Sequence, residues 1–94
     1  MDLERLIESG AKVIDVRTRA EYMGGNVPGS KNIPLNEIID RIEEFKSAGV
    51  PLILCCASGG RSGQAHNYLS SFGIECYNGG SWFDVNFAVA NSAS

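Results

Sequence analysis

The residues best suited to covalent chemistry lie in Cys55-Cys56-Ala57-Ser58-Gly59-Gly60-Arg61-Ser62. An apolar run, Leu52-Ile53-Leu54, leads into them and is the right length for one buried strand. After them, Ala65, Tyr68, Leu69 and Phe72 recur at helical spacing. A cysteine thus sits where a strand passes through a tight loop into a helix. Such a loop can turn several backbone N–H groups toward one point, and the helix adds partial positive charge at its N-terminus. A cysteine held there has a lowered pKa and reacts as the thiolate near neutral pH. Gly59 and Gly60 suit the close backbone approach of a cradle, and Arg61 contributes a permanent charge.

A plainer reading exists for each residue. Gly-Gly between a strand and a helix is in many proteins only a connection, and buried cysteines behave as small inert hydrophobes. It is the whole order of strand, Cys56, four-residue spacer, Arg61, Ser62 and helix that points to an anion-binding nucleophile. Cys55 and Cys56 are neighbours on one strand, so their side chains point to opposite faces: one into packed interior, the other into the site. Ser62 either serves the site or caps the helix. Arg61 either faces an anionic substrate or pairs with Asp15 or Glu21 and braces the loop from behind, a task suited to its planar donor fork. Arg17 and Glu21, spaced i, i+4, read as a surface pair, and Trp82 reads as core. His66 is the only histidine and there is no Cys-x-x-Cys, so neither a metal nor a cofactor is expected.

The elements that must position this loop alternate along the chain. Leu3, Leu6 and Ile7 mark a short amphipathic helix ending at Gly10, and Val13-Ile14-Asp15-Val16 reads as a buried strand. Arg17 to Met23 forms at most a short helical turn before the loop through Pro28 and Gly29. Lys31-Asn32-Ile33 reads as a short strand stopped by Pro34. Leu35, Ile38, Ile39, Ile42 and Phe45 give the clearest helical stripe in the sequence, closing near Gly49. Ile74 to Tyr77 is the last strand, followed by Gly79-Gly80 and a final helix around Trp82, Val85 and Val89. Residues 91–94 are expected to fray. Strands separated by helices imply right-handed crossovers and an α/β fold: a small parallel sheet of four to five strands with helices on both faces. Ligands of such sheets bind beyond the carboxyl ends of the strands. Cys56 and the segment Asp15-Val16-Arg17 should open on that same edge.

Ninety-four residues suit one domain, residues 1–94, which buries roughly 60–70% of its unfolded surface. The chain is 44% hydrophobic and 20% charged, an ordinary globular composition. A net charge of −3 argues against nucleic-acid and anionic-membrane partners. An anion site here must therefore create its own local positive field. No apolar run approaches the ~20 residues of a spanning helix. Met1 is followed by Asp2 and Glu4, unlike the basic start of a secretory signal, so a cytoplasmic location is expected. Three cysteines give no disulfide framework.

Cys56-Ala-Ser-Gly-Gly-Arg-Ser62 resembles the active-site loop of the rhodanese family of sulfurtransferases, whose pattern is Cys, two variable residues, Gly, one variable residue, Arg, Ser. Val13-Ile-Asp-Val-Arg17, Glu21-Tyr22, Val27-Pro-Gly-Ser30 and Asn32-Ile-Pro34 resemble that family's upstream signature in the same order. Gly79-Gly80 with Trp82 resembles its last block. The resemblance implies a rhodanese-like fold, although that fold begins with a small strand for which there is no room before Leu3. It implies transfer of a sulfane sulfur from a donor such as thiosulfate to an acceptor such as cyanide or a thiol, through a persulfide on Cys56. Ala57, Ser58, Gly59, Gly60, Arg61 and Ser62 would bind the persulfide, with Asp15 and Arg17 in support. The partners implied are small molecules, with a protein acceptor left open. Family members that prefer thiosulfate often carry a basic loop residue, whereas Ala57 and Ser58 are neutral. Asn26 stands where the family often has His.

Counted from Cys55, the same letters give Cys, five residues, Arg61. That is the spacing of cysteine phosphatases, including cell-cycle phosphatases that look like rhodaneses in fold, and a loop wider by one residue holds phosphate or arsenate. Those phosphatases usually have His before the cysteine, where this chain has Leu54. The glycine three places after the nucleophile also matches only from Cys56. A third reading is a rhodanese-like module that binds without catalysis, but such modules typically lack the cysteine.

Overall fold

The computed structural model describes residues 2–92. In chain order the elements are α1 (Leu3–Glu8), β1 (Lys12–Asp15), α2 (Arg19–Met23), β2 (Lys31–Asn32), a 3-10 turn (Leu35–Glu37), α3 (Ile42–Lys46), β3 (Leu52–Cys56), α4 (Gly60–Ser70), β4 (Cys76–Ser81) and α5 (Trp82–Ser92). The four strands form one parallel sheet in the order β2-β1-β3-β4. All five residues of β3 are buried, as expected of a central strand covered on both faces.

Strand alternation divides the interior in two. Ile14, Val16, Leu52, Leu54 and Cys56 meet Ala65 and Leu69 of α4, Phe45 of α3 and Ile38. Val13, Ile53 and Cys55 meet Val85 of α5, with Leu3, Leu6 and Ile7 of α1 packed around them. The adjacent cysteines therefore face opposite layers, as the pleat requires.

Three expectations are corrected. The stripe from Leu35 to Phe45 is not one helix: a 3-10 turn is followed by a break before the five-residue α3. Ile38 and Phe45 reach the core, but Ile39 is 67% exposed, so the repeat of apolar residues does not mark one continuous face. Successive β-branched residues give the helix little intrinsic support. Arg41 spans the break, pairing with Glu37 at 3.0 Å and Glu44 at 2.7 Å. The last strand begins at Cys76 and takes in Gly79-Gly80 rather than stopping before them. Finally, α5 continues to Ser92, whose hydroxyl donates to the Val89 carbonyl, so Asn91 and Ser92 belong to the helix. Ala93 and Ser94 lie outside the described residues.

The pairing of β4 with β3 slips by one residue at the glycines. Leu54 pairs with Asn78 but Cys55 with Gly80, leaving Gly79 as an extra residue in a bulge. A Cβ on Gly79 would stand 2.8 Å from methyls of both Ile53 and Val85. Only glycine lets the strand run this close beneath α5.

Candidate active site

Cys56 ends β3 and is 1% exposed. The chain turns sharply after it through Gly59, whose φ of +102° lies in the left-handed region, and whose Cβ, if present, would stand 3.3 Å from Gly80 Cα. Both constraints demand glycine. The turn folds the chain back over the sulfur. The Gly59 N–H donates to Cys56 Sγ at 3.0 Å, the Ser62 N–H at 3.5 Å and the Ser62 hydroxyl at 3.4 Å.

These donors decide the charge state of the thiol. Burial alone pushes the pKa up, but the Ser62 hydroxyl and the N–H groups of Ser62, Ser58 and Gly59 stabilise the anion more strongly. The net result brings Cys56 from an ordinary 9.0 to about 7. Cys55 behaves oppositely. Burial, reinforced by the charge of Asp15 against a smaller pull from Arg17, pushes it up to about 12. Burial also raises Cys76, partly offset by Ser70. The Cys55-to-Arg61 spacing thus has no geometric counterpart, because Cys55 faces the opposite layer, and a phosphatase-type loop is not favoured.

Ser62 does not cap α4. Gly59 occupies the cap position and Ser62 sits inside the first turn, buried, with its hydroxyl 2.6 Å from Asn78 Oδ1. Arg61 braces rather than faces the sulfur. Its guanidinium grips Glu21 with both arms, Nη1 to Oε1 at 2.7 Å and Nη2 to Oε2 at 3.0 Å. Of the two carboxylates open to it in the sequence, Glu21 is the partner. Hydrogen bonding from Arg61, then from the Thr18 N–H, holds the Glu21 carboxyl down at about 2. The same carboxylate closes a capping box with Thr18 at the start of α2.

Asp15 is taken by Arg17 instead. Arg17 Nη2 and Nε reach the buried Asp15 carboxylate at 2.7 and 3.0 Å, and the Arg17 backbone N–H donates to Oδ1 at 2.9 Å. The expected Arg17–Glu21 side-chain pair is absent. Arg17 meets only the Glu21 carbonyl, at 3.3 Å, and donates to the Gly25 carbonyl at 2.7 Å. Its guanidinium lies 4.6 Å from the centre of the Trp82 ring. Trp82 is therefore half-buried, and stacks on Phe83 at 4.3 Å. The two arginine clamps make α2 and the β1 end a rigid wall behind the loop. Asn26 is exposed and bonds only the Tyr22 carbonyl. His66 is half-buried on α4, 3.4 Å from Ser70.

Asn78 is the site residue that sequence reasoning missed. Its one available signal was strand alternation: Asn78 falls two places after the buried Cys76, on the side of β4 that meets α4. A cavity of about 360 Å³ lies at the other end of the sheet, between Phe45, Pro51 and Phe72, away from this chemistry. Among the described residues no helix is long and apolar enough to cross a membrane, and no three His, Cys, Asp or Glu side chains cluster to hold a metal ion.

Residues 1–83 match the rhodanese-like domain family. The chain belongs to that family. It is 39% identical over 69 residues to the uncharacterized protein YqhL of Bacillus subtilis, covering 72% of this chain and 54% of that protein. It is 32% identical over 87 residues to the thiosulfate:glutathione sulfurtransferase of Saccharomyces cerevisiae, covering 77% of this chain and 63% of that enzyme. The crystal structure of a rhodanese-related protein from Thermoplasma volcanium superposes with a TM-score of 0.78 at 27% identity, over 92% of this chain and 84% of the other. The rhodanese-like domain thus spans a little over half to about two-thirds of the length of these curated relatives, and the four-stranded α/β sheet is the family's fold.

Proposed function

We propose that this chain is, over residues 1–94, one catalytic domain that transfers a sulfane sulfur through a persulfide on Cys56. The observation that carries the reading is the convergence of the Gly59 N–H, the Ser62 N–H and the Ser62 hydroxyl on one sulfur whose pKa is about 7. A cysteine already ionised near neutral pH attacks without a general base. With thiosulfate as donor, the Cys56 thiolate forms a bond to the outer sulfur while the bond from that sulfur to the sulfonate breaks. The bonding pair leaves with sulfite, a stable anion that needs no proton. Cys56 then carries an anionic outer sulfur.

That sulfur needs donors of its own. The N–H groups of Gly60 and Arg61, in the first turn of α4, have no intrahelical partner and are available to it, along with the positive end of the helix. In the second half-reaction an acceptor thiolate or cyanide attacks the outer sulfur, and the bond electrons return to Cys56. The thiosulfate and thiol specificity named for the yeast relative supports these as the first donor and acceptor to try. The loop offers thiosulfate no free cation, because Ala57 and Ser58 are neutral and Arg61 is engaged by Glu21. Three free, buried cysteines suit a reducing compartment such as the cytoplasm.

The test is intact-mass analysis after incubation with thiosulfate. The chain should gain one sulfur atom, lose it on addition of cyanide or glutathione, and gain nothing as Cys56→Ala. A gain that survives Cys56→Ala, or no gain from any sulfane donor, refutes the reading.

A further inference from the structure

Ser62 has one hydroxyl hydrogen and two acceptors within reach. Asn78 Oδ1 stands 2.6 Å from its oxygen and Cys56 Sγ 3.4 Å. The shorter contact holds the hydrogen while Cys56 is a neutral thiol; the thiolate, a charged acceptor, competes for it. Asn78 is not stranded by the exchange, because the Gly80 N–H also donates to Oδ1, at 3.0 Å. The other end of the amide is engaged as well. Asn78 Nδ2 donates at 3.1 Å to the carbonyl of Gly59, the residue whose N–H makes the shortest contact with the sulfur. These partners fix the orientation of the amide, since a flip would set its NH₂ against the Gly80 N–H and its oxygen against a carbonyl. The bulge at Gly79 makes the arrangement possible. It keeps Asn78 in register with Leu54, on the α4 side, while letting the next N–H, that of Gly80, turn back to the same oxygen.

We propose that Asn78 is a positioning residue for the Cys56 sulfur: it holds the Gly59 peptide where its N–H donates to the sulfur, and it competes with the sulfur for the Ser62 hydrogen. The proposal rests on Cys56 being the sulfur-carrying nucleophile. Asn78 touches no reacting atom and acts only through those two groups. Other charged groups around Cys56 are already committed. Arg61 of α4 is held by Glu21 of α2, and Asp15 at the end of β1 is held by Arg17. Cys55 of β3 points to the other face. The titratable side chains of β4, Cys76 and Tyr77, lie opposite Leu52 and Ile53, at the start of β3.

The experiment compares Asn78→Ala, Asn78→Asp, Ser62→Ala and the Asn78→Ala/Ser62→Ala pair. Two quantities are read: the pH midpoint of Cys56 alkylation, and sulfur uptake from thiosulfate by intact mass. In the Ser62→Ala background, where only the Gly59 arm remains, Asn78→Ala should raise the midpoint, cutting the thiolate fraction at pH 6 about five- to ten-fold. Asn78→Asp should raise it further, because a carboxylate within two contacts of the sulfur opposes ionisation. With Ser62 present the rise should be smaller, because Asn78→Ala also frees the Ser62 hydrogen for the thiolate. Because Asn78 is solvent-exposed, melting temperatures should change little, and sulfur uptake should slow in step with the thiolate fraction. No rise on Asn78→Ala in the Ser62→Ala background, or the same effect with and without Ser62, overturns the proposal. If Asn78→Ala does not fold, an unmoved midpoint in the isosteric Asn78→Asp overturns it equally. A wild-type chain that alkylates with a low midpoint yet takes up no sulfur refutes the sulfurtransferase reading and leaves Asn78 in place. Normal uptake by the wild type, with a midpoint that Asn78→Ala leaves unmoved in the Ser62→Ala background, does the reverse.

Discussion

The sharpest consequence of the loop geometry is the pH dependence of Cys56. With its pKa at about 7 instead of 9.0, the thiolate population at pH 6 is about 100-fold larger than for an ordinary cysteine. Reactivity rises less than population, because a less basic thiolate is a weaker nucleophile. With a Brønsted coefficient of about 0.4–0.5, the intrinsic loss is roughly eight-fold. Cys56 should therefore react roughly ten-fold faster than a free thiol at pH 6, and more slowly than one above pH 9. Iodoacetamide alkylation followed across pH 5 to 10, with peptide mapping, separates it from Cys55 and Cys76. Stability follows the same linkage. A lowered folded pKa makes ionisation favour the native state, so this contribution is complete above 9.0 and is lost as pH falls through about 7. The melting difference between wild type and Cys56→Ala should accordingly shift in favour of wild type between pH 6 and 9. Cys55, raised to about 12, works the other way, costing stability as pH climbs above 9. A Cys56 midpoint near 9, or Cys55 alkylating as fast as Cys56 in the native protein, would refute the reasoning.

Two further perturbations probe the supports of the loop. Arg61→Lys replaces a two-armed grip on Glu21 with a single ammonium; the melting temperature should fall while the Cys56 midpoint stays near 7, and a midpoint driven up toward 9 would mean that Arg61 acts on the sulfur directly. Gly79→Ala places a methyl 2.8 Å from Ile53 and Val85, an overpacking worth about 1–3 kcal/mol, or a fall of roughly 4–20 °C in melting temperature; an unshifted melt would show that both side chains can retreat.

The Cys56 loop was legible because everything that defines it is local: the strand, the glycine turn and the helix start are contiguous, and each has its own sequence signal. The parallel sheet followed from the same alternation. What sequence could not settle were choices among partners distant along the chain. Arg61 had Asp15 and Glu21 as candidates, and the outcome depended on Arg17, two residues on, claiming Asp15. The i, i+4 spacing of Arg17 and Glu21 suggested a helical pair, yet α2 begins only at Arg19, so the two never share a helix face. The stripe from Leu35 to Phe45 misled for a related reason. Periodicity reports which residues could face inward from a helix, and a 3-10 turn with a short helix satisfies the core with Leu35, Ile38 and Phe45 while leaving Ile39 in solvent. Ser62 was read as a cap because capping is what serine usually does at a helix start. Gly59 in the left-handed region took the end of the helix and left Ser62 free to turn inward.

The paired cysteines show how much of the chemistry lies in that last step. Cys55 and Cys56 have the same side chain, the same strand and nearly the same burial, at 0% and 1% exposure. Burial by itself should therefore raise both. One residue of displacement puts them on opposite faces of the pleat. The face of Cys55 meets apolar side chains and the Asp15 carboxylate; the face of Cys56 meets a glycine turn and the first turn of a helix. The first thiol titrates at about 12 and the second at about 7. Loss of solvent raises both thiols, Cys55 more because it lies deeper, but it cannot carry Cys56 below 9.0. That fall arises from the donors that replace solvent at the Cys56 sulfur only, and those donors stand where Gly59 and Ser62 place them.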